Sequence, residues 1–260
     1  LGCKGTTGTG ASFLMLFNGD EAKVRALEGL IARKMGFESC VAVSGQTYTR
    51  KVDAFVLNVL SGIAQSASKM ATDLRLLSHL KEFDEPFESE QVGSSAMAYK
   101  RNPMRSERVC SLARYVMTDA LNPAWTAATQ WMERTLDDSA NRRIALPEAF
   151  LAADAILTLC RNLISGGRVY PGVMRRHLNE EMPFMATENI LMRAVELGGD
   201  RQKLHEKIRE YSVETAARVK LEGGENDLLD KLKADPAFHL DDAALAEILD
   251  VKQFIGCAPS

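Results

Sequence analysis

Three stretches of this 260-residue chain gather the side chains that could do chemistry. The first is GSSAMAYKRNPMRSE, residues 93–107. It sets Gly93, Ser94 and Ser95 shortly before Lys100, Arg101 and Arg105, with Glu107 its single acid and Arg108 immediately after. A serine acts as a base only when its pKa is lowered, and neighbouring cations push in that direction. Lys100 would also stabilise negative charge developing on a carboxylate. The second stretch, ERTLDDSANRR, lets Asp137 or Asp138 cap a helix on which Ser139 and Arg143 share a face, with Arg134 just before it. A helix start carrying a hydroxyl and a guanidinium is an anion site, because free backbone N–H groups and the arginine fork converge on phosphate oxygens. The two aspartates oppose that reading unless they serve as caps or pair with Arg142. The third stretch, SGQTYTRK, is a polar turn in which Gln46 offers its amide to a carboxylate or an amide. Each stretch also has a plain alternative: a solvated basic loop, a capped helix with local ion pairs, and an ordinary turn.

The elements that must position these residues are helical. In KVDAFVLNVLSGIAQSASKMATDLRLLSHL the residues Val52, Val56, Leu60, Ile63, Ala67, Met70, Leu74 and Leu77 recur at spacings of four and three. That predicts one long helix with an apolar stripe suited to a bundle or a subunit interface, and small residues such as Ser61 and Gly62 beside it for close packing. Asp20 predicts the start of a helix ending at Gly36. Further helices are predicted after Pro103, over LPEAFLAADAILTLCRNLIS, and through the segments around MRRHLNEEM, TENILMRAVELGG, RQKLHEKIREYSVETAARVKLEGG and DAALAEIL. FESCVAVSGQTYT is the one candidate strand. The expected fold class is all-α: a long-helix bundle over residues 1–165, followed by a smaller helical domain over 166–260.

Composition narrows the function. A net charge of -3 and a pI near 5.9 lack the basic footprint of a nucleic-acid binder. No apolar run approaches the roughly 18 residues of a membrane span. The five cysteines are scattered without CxxC spacing, and the four histidines without metal-ligand spacing, so neither a disulfide framework nor a zinc site is indicated. The opening GTTGTG fits neither a P-loop nor a dinucleotide-binding turn.

GSSAMAYKRNP resembles the Gly-Ser-Ser-x-Met-Pro-x-Lys-x-Asn-Pro stretch of the fumarase/aspartase superfamily. MRSER after it, SGQTYTRK upstream and ERTLDDSANRR downstream are similar to the adenylosuccinate lyase family, and PFMATENI and HEKIR extend the likeness over essentially the whole chain. The resemblance implies an all-α lyase that cleaves adenylosuccinate to AMP and fumarate, and SAICAR to AICAR and fumarate. It implies Ser94 as the base, Lys100 and Asn102 as holders of the succinyl carboxylates and the aci-carboxylate, and Gln46 and Arg108 as substrate contacts. Arg134, Ser139 and Arg143 would hold the phosphate end. It further implies no metal or organic cofactor, and a small purine nucleotide as substrate. The protein would be a cytoplasmic homotetramer with active sites shared between subunits, touching neither nucleic acid nor membrane.

Two positions depart from the family. Ala98 replaces the proline of the pattern, which removes a φ restraint, and Pro147 would interrupt backbone bonding inside a long helix. The family's general-acid histidine, in a Thr-His-x-Gln-Pro segment, has no counterpart here. The chain is therefore expected to be the central and C-terminal portion of such an enzyme, inactive by itself. Another fumarate-releasing lyase, or a non-catalytic helical scaffold of the same fold, stands as the alternative.

Overall fold

The computed structural model describes residues 1–87, 97, 99–132 and 134–259. Ser94 and Ala98 lie outside the described residues. The chain divides into two compact units, Leu1–Val169 and Tyr170–Ser260.

In the first unit α1 (Ala11–Leu16) and α2 (Glu21–Lys34) precede an irregular stretch that leads into α3 (Lys51–His79). β1 (Phe83–Asp84) follows, then α4 (Met104–Asp119), α5 (Leu121–Thr129), α6 (Asp137–Gly166) and β2 (Arg168–Val169). As predicted, the Asp20 side chain caps α2 by accepting from Lys23 N at 3.0 Å. The FESCVAVSGQTYT segment does not form the expected strand but runs as bends and turns. Val41 and Val43 are exposed, and no neighbouring edge pairs with them among the described residues. The strands among the described residues are the two-residue β1 and β2, paired antiparallel with Phe83 opposite Val169. Gly167 lets this pair form, since a Cβ there would stand 2.5 Å from the Phe83 ring.

Three helices make the core. α6 runs parallel to α3: Asp138 meets Arg50 at one end, and Gly166 meets Pro86 at the other. α4 runs the opposite way, its Cys110 thiol lying against the Ser68 carbonyl. The faces that meet are rich in small residues: Ala64, Ala71, Ala113, Ala145 and Ala149 are almost completely buried, around Leu57, Val109, Ile156 and Leu163. Alanine faces let helix axes approach to the short end of the usual 8–10 Å range. This changes the expected stripe on α3. Its buried face is Asp53, Ala54, Leu57, Leu60, Ser61, Ala64, Ala67 and Ala71, rotated toward the small residues. The larger Val52, Phe55 and Val59 stay exposed, at 46%, 59% and 64%. α6 continues through Pro147 without ending.

The second unit contains α7 (Pro171–Met185), α8 (Thr187–Glu196), α9 (Arg201–Glu222), α10 (Leu228–Ala234) and α11 (Asp242–Ile248). Asp200 caps α9 by accepting from Gln202 N and Lys203 N, and Gly223 ends it in the left-handed conformation. Ile190, Leu228, Leu232 and Phe238 are fully buried at the centre.

Candidate active site

The turn before α3 and the start of α6 are joined by a compact polar cluster. Arg50, 4% exposed, donates from Nε to Asp138 Oδ2 at 2.7 Å, and the Asp138 side chain is itself almost wholly buried. Arg142 donates from Nε to Asp53 Oδ2 at 3.1 Å. Tyr48 lies between the two pairs. Its hydroxyl donates to Asp53 Oδ1 at 2.8 Å and accepts from Arg142 Nη2 at 2.5 Å. Its ring carries the Arg50 guanidinium 4.5 Å above the centroid. The Gln130 carboxamide accepts from Arg50 N at 2.9 Å and donates to Thr47 Oγ1 and the Tyr48 carbonyl.

Burial, then the hydrogen bond from Tyr48 to Asp53, pushes the Tyr48 phenol above its ordinary pKa. Burial acts to lower Arg50, but the hydrogen bond and charge of Asp138 outweigh it and the guanidinium is raised. The expectation that the aspartates would cap α6 or pair with Arg142 is corrected. The N-cap is Leu136 without a side-chain bond, and of the two aspartates only Asp137 serves the helix start, accepting from Asp138 N at 3.0 Å; Asp138 goes to Arg50, and Arg142 goes to Asp53.

Gln46 is exposed on this turn, four residues before Arg50. Ser139 and Arg143 sit on the first turns of α6, each one residue past a pinned side chain, with Arg143 exposed and Ser139 half-buried. Arg134 is half-buried just before the helix, and its Nε has no partner among the described residues.

The second group lies at the start of α4. Glu85, immediately after β1, accepts from Arg105 N at 2.8 Å and from Ser106 N at 2.7 Å. A carboxylate from outside the helix thus takes the place of the missing side-chain cap, where the dipole favours a negative charge. Arg105 Nη1 donates to the Pro86 carbonyl, and the Arg101 guanidinium stacks 4.4 Å over the Phe87 ring. These contacts tie residues 85–87 to residues 101–106. Asn102 and Arg108 line a cavity of about 370 Å³ here, together with Ser78 and Glu85. Lys100 is exposed beside it, after a turn in which its N–H donates to the Met97 carbonyl.

The expected site residues that are described therefore do not converge within one chain. Gln46, Arg134, Ser139 and Arg143 gather at the N-terminal end of α3, whereas Lys100, Asn102 and Arg108 gather beyond its C-terminal end. The 29 residues of α3 separate the groups by about 40 Å at 1.5 Å per residue. Sequence reasoning missed Tyr48, Arg50, Asp53 and Glu85. The signal for one was present: Asp53 sits beside Ala54 and Leu57 on a small apolar face, and a carboxylate so placed needs a partner from elsewhere. Among the described residues, no group of three or more His, Cys, Asp or Glu side chains could hold a metal ion, and no helix is long and apolar enough to cross a membrane.

Residues 183–260 match the family model of the adenylosuccinate lyase C-terminus, and residues 15–118 match a general lyase model. The chain is 53% identical over 258 residues to adenylosuccinate lyase of Schizosaccharomyces pombe and 55% identical to that of Saccharomyces cerevisiae. In each case the match covers 99% of this chain and 54% of the relative, so the chain spans about half the length of these relatives. Among solved structures, 3-carboxy-cis,cis-muconate lactonizing enzyme from Pseudomonas putida superposes with a TM-score of 0.78 at 21% identity, over 99% of this chain and 55% of that one. Fumarate lyase from Mesorhizobium sp. BNC1 superposes at 0.76, also at 21% identity, over 98% of this chain and 54% of that one. The structural likeness establishes the fold; the sequence identity and the family models together establish that the chain belongs to the adenylosuccinate lyase family.

Proposed function

We propose that the protein is a cytoplasmic lyase that cleaves adenylosuccinate to AMP and fumarate, and SAICAR to AICAR and fumarate, by acid–base β-elimination. Ser94 as alkoxide takes the proton from the carbon beside the succinyl carboxylate. The electron pair spreads into that carboxylate as an aci-carboxylate, then returns to form the C=C bond of fumarate as the C–N bond breaks. The departing nitrogen takes a proton from a general acid. Lys100 and Asn102 hold the developing negative charge, Gln46 and Arg108 contact the substrate, and Arg134, Ser139 and Arg143 bind the phosphate.

The observation that carries this reading is the pairing of two charge-complementary half-sites with the identity to adenylosuccinate lyases. One end of α3 presents Ser139 and Arg143 at a helix start, as a phosphate requires, and the other presents Asn102 and Arg108 around a cavity, as two carboxylates require. Because about 40 Å separates the groups, a working site takes one from each of two copies of the chain. The exposed Val52, Phe55 and Val59 of α3 offer the apolar face for that assembly, a homotetramer.

The test is fumarate release from adenylosuccinate by the full-length protein. Ser94→Ala and Arg143→Ala are each expected to abolish turnover, and mixing the two inactive proteins under exchange conditions is expected to restore part of it. Undiminished activity in Ser94→Ala would remove that residue as the base. No activity in the wild type would favour a scaffold, and mixing without recovery would refute the shared site.

A further inference from the structure

We propose that Tyr48, Arg50, Asp53, Asp138 and Arg142 are positioning residues that hold Gln46, Ser139 and Arg143 as one preorganised nucleotide-binding group. This inference rests on the substrate contacts assigned to those three residues above.

The geometry is one of interleaving. Asp138 and Arg142 are four apart on α6 and both face inward, to Arg50 at 2.7 Å and Asp53 at 3.1 Å. Ser139 and Arg143 are the next residue after each, one helical step of about 100° round the axis. Two ion pairs at i and i+4 fix the rotation of the first turns of α6, and Ser139 and Arg143 cannot swing about the axis without breaking both. The same two pairs hold the chain that carries Gln46, since Arg50 and Asp53 flank the junction between its turn and α3. Tyr48 couples the pairs by donating to Asp53 and accepting from Arg142.

The turn is gripped from the other side as well. Gly8 approaches so closely that a Cβ on it would lie 1.8 Å from the Ser44 carbonyl oxygen. Its φ of +81°, in the left-handed region open to glycine, completes that fit and gives the opening GTTGTG a structural use.

Simple stability does not account for this cluster. A buried ion pair gives up hydration on both partners, and well-packed apolar residues of similar volume are often as stable. What charged pairs add is a defined geometry. With the Tyr48 phenol and the Arg50 guanidinium both shifted upward, neither of these two groups changes charge near neutrality. Placement of this kind matters to catalysis because small displacements of contacting groups weaken binding and rate steeply.

The experiment uses the full-length protein and three variants: Tyr48→Phe, the double variant Arg50→Met with Asp138→Leu, and Asp235→Asn in the second unit as a remote control. Melting temperature, kcat and KM for adenylosuccinate, and AMP affinity by calorimetry are measured for each. Tyr48→Phe keeps the ring and removes the coupling hydroxyl. It is expected to raise KM and the AMP Kd about tenfold, with kcat changed less than about threefold. The double variant leaves no charge stranded, so it is expected to melt near the wild type while KM stays raised. The control is expected to lower the melting temperature with KM unchanged. A normal KM in Tyr48→Phe overturns the proposal, as does a double variant whose KM recovers together with its melting temperature. A wild type that neither releases fumarate nor binds AMP overturns this proposal and the function together, whereas an active wild type with unaffected variants overturns only the positioning role.

Discussion

Removing the Glu85 carboxylate tests what holds the start of α4. Its two oxygens accept from Arg105 N and Ser106 N at 2.8 and 2.7 Å, and the Ser106 residue is fully buried. In Glu85→Ala both N–H groups lose their acceptor at a helix start that no other side chain caps among the described residues. Loss of a helix cap costs about 0.5–2 kcal/mol, and a buried donor left without a partner about 1–3 kcal/mol. Because these overlap, about 3 kcal/mol is the expected loss for the first unit. At roughly 2–4 °C per kcal/mol for a unit near this size, the melting temperature should fall by about 6–12 °C. Glu85→Gln keeps one acceptor and removes the charge, so its loss should be about 1 kcal/mol. Circular dichroism melts give these shifts, and fumarate release by the full-length protein gives kcat. The alanine variant should lose kcat as well, because Arg101 and Arg105, on either side of Asn102, are anchored through the same contact region. A melting shift below about 2 °C, with kcat unchanged, would show that the cap neither stabilises α4 nor holds Arg101 and Arg105 in place.

Further outcomes follow from single positions. Pro147→Ala restores a backbone donor within α6 and should stabilise the first unit by about 1–3 kcal/mol, read from a denaturant midpoint with unchanged slope. Phe55→Asp places a charge on a side chain 59% exposed in the isolated chain, so the helical spectrum should persist while sedimentation shifts from the proposed assembly to monomer. Leu60→Asp should instead unfold the chain, because Leu60 is 8% exposed within it. Asp227 is held below the ordinary carboxylate range, first by the Thr215 hydroxyl and then by Lys231 and Arg218. A lowered folded pKa contributes stability that is present above the unfolded value near 4 and is lost as pH falls through the folded value. Asp227→Asn should therefore melt lower than the wild type at pH 7, with the gap closing on acidification below about pH 5.

Helices were legible wherever a local cause sets them. Asp20 and Gly36 bound α2 through backbone capping, and the three-and-four spacing marks α3, because both depend only on residues a few positions apart. The all-α class follows from those same causes. The candidate residues were legible as types and as neighbours on one helix face, such as Ser139 and Arg143. Partnership across the chain was not. Arg142 lies beside two aspartates in sequence, yet pairs with Asp53, 89 residues away, because α3 and α6 lie side by side and Asp138 is taken by Arg50. Spacing on α3 identified an apolar stripe without deciding which part faces inward. Packing decided that, since alanine faces let α4 and α6 come close while Val52, Phe55 and Val59 were left outside. The sequence by itself determined the helices, their caps and the charged chemistry of the loops. Only the tertiary structure decided that the two groups of charged residues stand at opposite ends of α3, because a straight helix of 29 residues keeps its ends about 40 Å apart.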